Sequence, residues 1–200
     1  MQSDDLAWPP LAPPRITATE PASDAPGRDD DEVHDLWLGG VRIVGLDLER
    51  PELVDLRLED CDLSGIIATG YVARRLAVRN TRLRSVMATG GQCDDLVLDG
   101  CQTEQVSFRF SRLRRVVFRN SRLTSIDFYG VHFDQVLIEG CDLSGAAFDN
   151  AVVDTLRIRD CDFTGITGAA RLRGAEVDAS DLPSLAPSLA LDAGLRLRDA

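Results

Sequence analysis

The sequence has no lysine, only two histidines and no apolar run long enough to cross a membrane. All 22 basic residues are arginines, which we interpret as a GC-rich coding bias. A spanning helix needs about 20 consecutive apolar residues, so we expect no membrane partner. The N-terminus, MQSDDLAWPPLAPP, lacks the basic and then apolar pattern of a signal peptide. We therefore expect a cytoplasmic protein.

Residues that could support catalysis or bind a metal are also scarce. His34 and His132 lie far apart in the sequence, and the five cysteines show no CxxC spacing, which argues against zinc. No glycine-rich phosphate-binding motif is present, and no base stands beside a serine or threonine. We predict that the protein is not an enzyme and uses no cofactor and no metal.

The charge and the prolines are concentrated at the N-terminus. Of a net charge of −11, residues 1–40 contribute nine acids against two arginines. Six of the nine prolines lie in residues 1–35. This composition predicts a disordered acidic tail over 1–35, which either solubilises the protein or contacts a basic partner. A patterned region follows over 36–170, and a C-terminal cap over 171–200.

The patterned region repeats every five residues. The third residue of each group of five is hydrophobic at all 25 sites from Ile43 to Phe163 except Thr103. The first residue of each group is never charged from Val41 to Cys161. Residues two apart lie on the same side of a strand, and the fifth position often holds Gly, Asn or Asp, which suit a corner. No α-helix keeps a period of five on one face. The pattern therefore predicts short strands joined by corners.

A second period of twenty residues indicates a coil with four sides. CDLSG occurs at 61–65 and 141–145, and CDFTG at 161–165. Residues twenty apart are then predicted to stack, about 4.8 Å from one another. The predicted inward column of small residues is Cys61, Thr81, Cys101, Ser121, Cys141 and Cys161. The predicted hydrophobic core includes Leu63, Leu83, Phe108, Phe118, Phe128, Leu143, Phe148 and Phe163.

Charges at outward positions follow the same period. The predicted surface ladder is Glu59, Arg79, Asp99, Arg119, Glu139 and Arg159, in which the sign alternates at every step. Asp55, Arg75, Asp95 and Arg115 alternate in the same way. Opposite charges on stacked neighbours are stabilising, whereas like charges are destabilising. These columns therefore favour the predicted register over one shifted by a coil. Cys141 and Cys161 would be near enough for a disulfide, but a cytoplasmic interior favours free buried thiols.

The unit of a small residue, a polar residue, Leu or Phe, a polar residue and a turn residue resembles that of the pentapeptide-repeat proteins. The resemblance covers residues 41–168. It implies an all-β solenoid, a right-handed quadrilateral parallel β-helix of about six coils. Ala68, Ala73 and Ala88 depart from the usual third residue, so we expect distorted or slimmer coils there.

Both ends of such a rod need caps. We expect Trp37, with Leu36 and Leu38, to plug the N-terminal end. After Asp181, the residues Leu182, Leu185 and Leu189 fall on one side of a short helix. This helix is either a lid or an element through which two copies form a homodimer.

By elimination we expect a non-catalytic, rigid protein–protein interaction module whose partner the sequence does not name. The resemblance supplies an alternative, a DNA mimic that modulates DNA gyrase or topoisomerase IV by inhibition or by protection from quinolone-type poisons. A type II topoisomerase is the partner that this alternative names. The overall acidity argues against direct binding of nucleic acid.

Overall fold

The computed structural model describes residues 9, 11–16, 20, 22 and 32–196, and shows a parallel β-helix of about seven coils. The strands are β1 (Glu32–Gly39), β2 (Arg42–Val44), β3 (Asp47–Glu49), β4 (Glu52–Glu59), β5 (Asp62–Ser64), β6 (Ile67–Thr69), β7 (Val72–Arg79), β8 (Arg82–Arg84), β9 (Met87–Thr89), β10 (Gln92–Asp99), β11 (Gln102–Glu104), β12 (Arg112–Arg119), β13 (His132–Glu139), β14 (Val152–Val153), β15 (Leu156–Arg159) and β16 (Glu176–Val177). Two 3₁₀ turns (Ala169–Leu172 and Ala179–Asp181) and helix α1 (Leu182–Asp192) close the described C-terminal part. No helix among the described residues is long and apolar enough to cross a membrane.

The corners explain the five-residue period. Every fifth residue from 35 to 165 has a positive φ, with the exception of Thr155. Glycine adopts this left-handed conformation freely and Asn and Asp tolerate it, whereas a β-branched residue does so only as an outlier. Thr155 accordingly departs from the corner conformation, and the long strand of the preceding coils is divided there into β14 and β15.

Each coil has four faces, which we name A to D. In the first coil, face A comprises residues 32–34, face B 36–39, face C 42–44 and face D 47–49, and each later coil adds twenty to these numbers. The pairings between successive coils are parallel and join residue n to residue n+20, as in Leu63 with Leu83. The pairing of β15 with the cap strand β16 is also parallel but joins Arg157 to Glu176. The long strands form one nine-stranded sheet over faces A and B. Faces C and D begin as sheets of four and three strands and continue through single bridges.

The interior is filled differently in its two halves. From the fifth coil onwards phenylalanines dominate, and Phe128 lies 5.4 Å, ring centre to ring centre, from both Phe133 and Phe148. The first four coils contain mainly Leu, Val and Ala, and their one core phenylalanine among the described residues is Phe108 in the fourth coil. Leu63 and Leu83 are 5% and 6% exposed, whereas Leu143 in the same column is 0% exposed. The N-terminal half is therefore less tightly packed.

The C-terminal cap satisfies backbone donors at the edge of the last coil. The Cys161 N–H donates to Asp181 Oδ2 (3.1 Å), and the Phe163 N–H donates to Ser184 Oγ (3.1 Å). Strand β16 pairs with β15 in parallel. The buried Leu185 of α1 packs on the core. An open β-edge is thereby covered without a further coil.

The N-terminal end differs from the expectation. The first coil begins with β1 at Glu32, so the rod has one coil more than the six predicted. The inward Val33 of this coil was not recognised because acidic residues surround it in the sequence. Leu38 is 1% exposed and is buried at this end together with Val33, and Trp37 lies on the outside with Arg57 stacked 4.4 Å above its ring. Alternation along the strand allows only one of two neighbours to point inward.

Candidate interaction surface

The structure places the predicted core and small-residue columns in the interior. The buried core residues are Leu63, Leu83, Phe108, Phe118, Phe128, Leu143, Phe148 and Phe163. The small residues Cys61, Thr81, Cys101, Ser121, Cys141 and Cys161 are buried at the start of face C, in the register that stacks them one above another. Both sets hold the coils together, so any binding chemistry lies on the outside of the rod.

Hydroxyl groups in the small column serve as backbone acceptors. The Cys61 N–H donates to Thr81 Oγ1 (3.3 Å), and the Cys101 N–H donates to Ser121 Oγ (3.0 Å). All five cysteines are free and buried. Burial raises the pKa of Cys101 to about 11, which suppresses its reactive thiolate form at neutral pH. The column therefore has a structural role.

The predicted surface ladder runs along the outside of face B. Glu59, Arg79, Asp99, Arg119, Glu139 and Arg159 are joined in register, each to the next. Arg79 lies 3.5 Å from Glu59, and Arg119 lies 3.0 Å from Glu139. These contacts tie successive coils together, with a small contribution from each exposed pair.

Charge consequently alternates from coil to coil along the rod. Residues 72–91 contain five arginines and no acid, whereas residues 92–111 contain four acids and one arginine. Residues 112–131 return to five arginines and one acid, and residues 132–151 contain four acids and no arginine. The rod is banded in charge, and no face is acidic over its whole length.

The corner between faces A and B contains the best-defined ion pairs. Arg75 binds both carboxylate oxygens of Asp55 at 2.6 Å, and Arg115 binds both of Asp95 at 2.7 Å. The Arg75 hydrogen bonds lower the pKa of Asp55. Burial opposes the ionisation of Asp95, but the contacts with Arg115 outweigh it and lower the pKa of this carboxyl too. Both aspartates are therefore fixed anions.

A segment of the predicted tail lies along this corner. The Ala12 N–H donates to Asp95 Oδ1 (3.1 Å) and the Arg15 N–H donates to Asp55 Oδ1 (2.9 Å). The two aspartates are two coils apart, about 9.6 Å, which matches three extended residues at about 3.3 Å each. Residues 11–16 therefore follow the rod axis in extended form, contrary to the disorder predicted for the whole of 1–35. Sequence reasoning missed this contact because backbone amides leave no side-chain pattern.

The middle of face B beside this segment offers little exposed apolar surface. Ala77, Val117 and Leu137 occupy outward positions there but are buried. Ala22 adds a parallel bridge to Leu38 at the N-terminal end of the same face. The exposed surfaces suitable for docking lie elsewhere on the rod.

An aromatic cluster of Arg109, Phe110 and Tyr129 stands at the corner between faces D and A. Phe110 is 62% exposed and adopts φ +58°. Its ring meets Tyr129 edge to face at 5.4 Å, and the Arg109 guanidinium lies 4.4 Å above the Tyr129 ring. A Cβ on Gly130 would come within 2.8 Å of the Phe110 ring, so glycine there leaves room for it. The aromatic cluster is thus an exposed, supported projection, which sequence reasoning did not single out.

Each of the two histidines lies near one acidic residue. His132 contacts Asp154 at 2.6 Å, whereas His34 lies 3.8 Å from Glu32. No group of three or more potential metal ligands comes together among the described residues. The surface chemistry is that of ion pairs between coils and one aromatic projection.

Comparison with known proteins gives one family and several distant structures. A family model for pentapeptide repeats matches residues 126–165 with eight copies. No curated protein matches the sequence. A trypsin-treated form of QnrB1, a plasmid-mediated fluoroquinolone resistance protein, is 13% identical, with 84% of this chain and 96% of that chain covered and a TM-score of 0.31. Full-length QnrB1 is 13% identical, with 76% and 98% covered and a TM-score of 0.26.

HetL from the cyanobacterium Nostoc sp. strain PCC 7120 is a pentapeptide repeat protein involved in heterocyst differentiation regulation. It is 14% identical, with 70% of this chain and 86% of that chain covered and a TM-score of 0.20. TM-scores this low carry no argument about function. The matched repeats at 126–165 lie inside a rod whose five-residue corners and twenty-residue register extend on both sides of them. Residues 126–165 are thereby identified as pentapeptide repeats, and the coils on both sides of them continue the same architecture.

Proposed function

We propose that the protein is a non-catalytic interaction module that docks a partner protein on the aromatic cluster of Arg109, Phe110 and Tyr129. The observation that supports it is the exposed, left-handed Phe110. The left-handed conformation is common to the corners of the rod, but a bulky aromatic side chain is unfavourable there, and its 62% exposure leaves an apolar surface uncovered. Tyr, Phe and Arg are also enriched in protein interfaces.

The free cysteines agree with a reducing compartment, so the proposal keeps the expected cytoplasmic location. The rod supplies rigidity because each coil is bonded to both neighbours. A partner would meet a fixed aromatic anchor, and little conformational entropy would be lost on binding.

The substitution Phe110→Asn tests the proposal. Asn tolerates a left-handed corner, and Asn150 already occupies one in the same column at φ +56°. The variant should therefore fold normally and lose partner affinity by about tenfold or more. Val44→Asn is the matched control, since Val44 is 56% exposed on face C of the first coil, at a distance from the cluster.

The measurement is quantitative affinity capture from the host with wild type and both variants, followed by titration of the purified partner. The proposal requires a partner that binds wild type and Val44→Asn equally and Phe110→Asn weakly. Equal binding of the same partner to all three proteins would place the interface elsewhere.

The alternative, modulation of DNA gyrase or topoisomerase IV as a DNA mimic, comes from the family resemblance. The charge bands argue against it, because a duplex is acidic along its whole length. Adding the purified protein to a gyrase supercoiling reaction, with and without a quinolone, tests it. A change in gyrase supercoiling activity at micromolar protein would support this alternative, and an unchanged reaction would exclude it.

A homodimer through the C-terminal end is proposed as a second contact. Leu182, Leu189, Leu191 and Leu195 are exposed on or beside α1. Light scattering should show a dimer for wild type and a monomer for Leu191→Asp. A wild-type monomer at high concentration would leave α1 as a lid alone.

A further inference from the structure

An apolar cavity of about 190 Å³ lies inside the first four coils. Its lining extends from Leu38 in the first coil to Phe108 in the fourth, and thus follows the rod axis. The surrounding side chains are those of the loosely packed half of the core, including Leu63 and Leu83. Every one of the lining groups belongs to the interior of the β-helix.

Small third-position residues create this space. Ala68, Ala73 and Ala88 all line the cavity, at positions where later coils place Phe or Leu. The coils cannot narrow in response, because their strands are bonded in register to the coils above and below. The missing side-chain volume therefore stays inside the rod.

The chemistry of the lining restricts what could bind. The surface facing the cavity is entirely apolar. The most polar lining residues are Cys93 and Tyr71, and burial raises the pKa of both, which keeps them neutral. A water molecule needs two to four polar partners, and a carboxylate needs more, so this lining suits neither.

We infer that the cavity is a binding site for a small neutral hydrocarbon, of the size of a benzene ring or a short alkyl chain. An engineered apolar cavity of about 150 Å³ in another protein binds benzene or xenon, so about 190 Å³ is sufficient. The site is independent of the aromatic cluster on the surface.

Methyl NMR on the full chain, with benzene as the probe, tests the inference. Benzene should shift the methyl signals of Ala68, Ala73 and Ala88 in a saturable, one-site titration. The methyl signal of Ala146, which is fully buried in the tightly packed half, should not move. Absence of a saturable shift, or equal shifts in both halves, would overturn the inference.

Two controls separate this site from general hydrophobic binding. Benzoate has the same ring with a charge, and it should leave the three methyl signals unchanged; saturable binding of benzoate would contradict the stated ligand class. Ala88→Leu should weaken benzene binding at least tenfold, whereas Ala147→Leu, which adds the same atoms at an outward position, should not. If Ala88→Leu does not fold, the titrations of wild type with benzene and benzoate decide alone.

Discussion

Leu83→Ala and Leu143→Ala form a matched pair that measures how unevenly the core is packed. Both leucines occupy the third position of face C, and both substitutions remove the same atoms. Leu143 is 0% exposed in the phenylalanine-rich half, and Leu83 is 6% exposed beside the cavity. The pair therefore differs chiefly in the packing around the side chain, although Leu83 lies in strand β8 and Leu143 lies next to a single bridge at Asp142.

The expected losses follow from the cost of a new cavity. Leu→Ala substitutions in cores cost about 2.7–5 kcal/mol, and the cost rises with the volume left unfilled and with the dispersion attraction removed. Leu143 has neighbours on every side, so we expect a loss of about 4–5 kcal/mol in the free energy of unfolding. Leu83 already lacks neighbours on the cavity side, so we expect about 2–3 kcal/mol.

Urea unfolding of the full chain, followed by far-UV circular dichroism, measures both losses. Similar slopes for the two variants would show that the same unfolding transition is compared. Equal losses, or a greater loss at Leu83, would refute the difference in packing between the two halves.

Three further predictions concern single contacts. Gly91→Ala should cost about 1–3 kcal/mol of unfolding free energy by overpacking, because its Cβ would overlap the Tyr71 ring; in a Tyr71→Leu background the cost should shrink, and an unchanged cost would contradict this cause. Asp181→Ala should cost about 1–3 kcal/mol, measured by urea unfolding, because it leaves a buried N–H of the last coil without its acceptor; a neutral result would show that the carboxylate is dispensable for the cap. Asp55 and Asp95 have lowered pKa values, so their stabilisation is present above the unfolded pKa of about 4 and is lost as pH falls below it. The hydrogen-exchange protection factors of the Ala12 and Arg15 amides, which correct for the intrinsic pH dependence of exchange, should fall on acidification in wild type and already be low at neutral pH in the Asp55→Asn, Asp95→Asn double variant. High protection in that variant would exclude the carboxylates as anchors.

The periodic features of the fold could be predicted because each depends on residues at fixed spacing. The five-residue strand and corner, the stacking at twenty residues and the ladder from Glu59 to Arg159 all follow from this. The plug assigned to Trp37 was wrong because the strand alternation around it directs Leu38 inward. Face A of the first coil, residues 32–34, was missed since the acidic residues around it do not show the repeat.

Other features depend on contacts that leave no pattern. The docked segment 11–16 binds through backbone amides, which any non-proline residue supplies. Phe110 stands at a fifth position like any other corner, and only its exposure and the neighbouring Gly130 distinguish it. The alanines at 68, 73 and 88 indicated altered coils. A cavity results instead of a narrower coil because the strands are hydrogen-bonded in register to the coils above and below.

The central claim is that the chain forms a rigid rod that rises by one strand spacing for every twenty residues. Spin labels on the full-length Arg42→Cys, Asp162→Cys variant test it directly, since the native thiols are buried. Six coils at about 4.8 Å predict a narrow distance distribution centred near 29 Å, to about one coil spacing. A broad distribution, or a centre displaced by more than one coil spacing, would contradict the account.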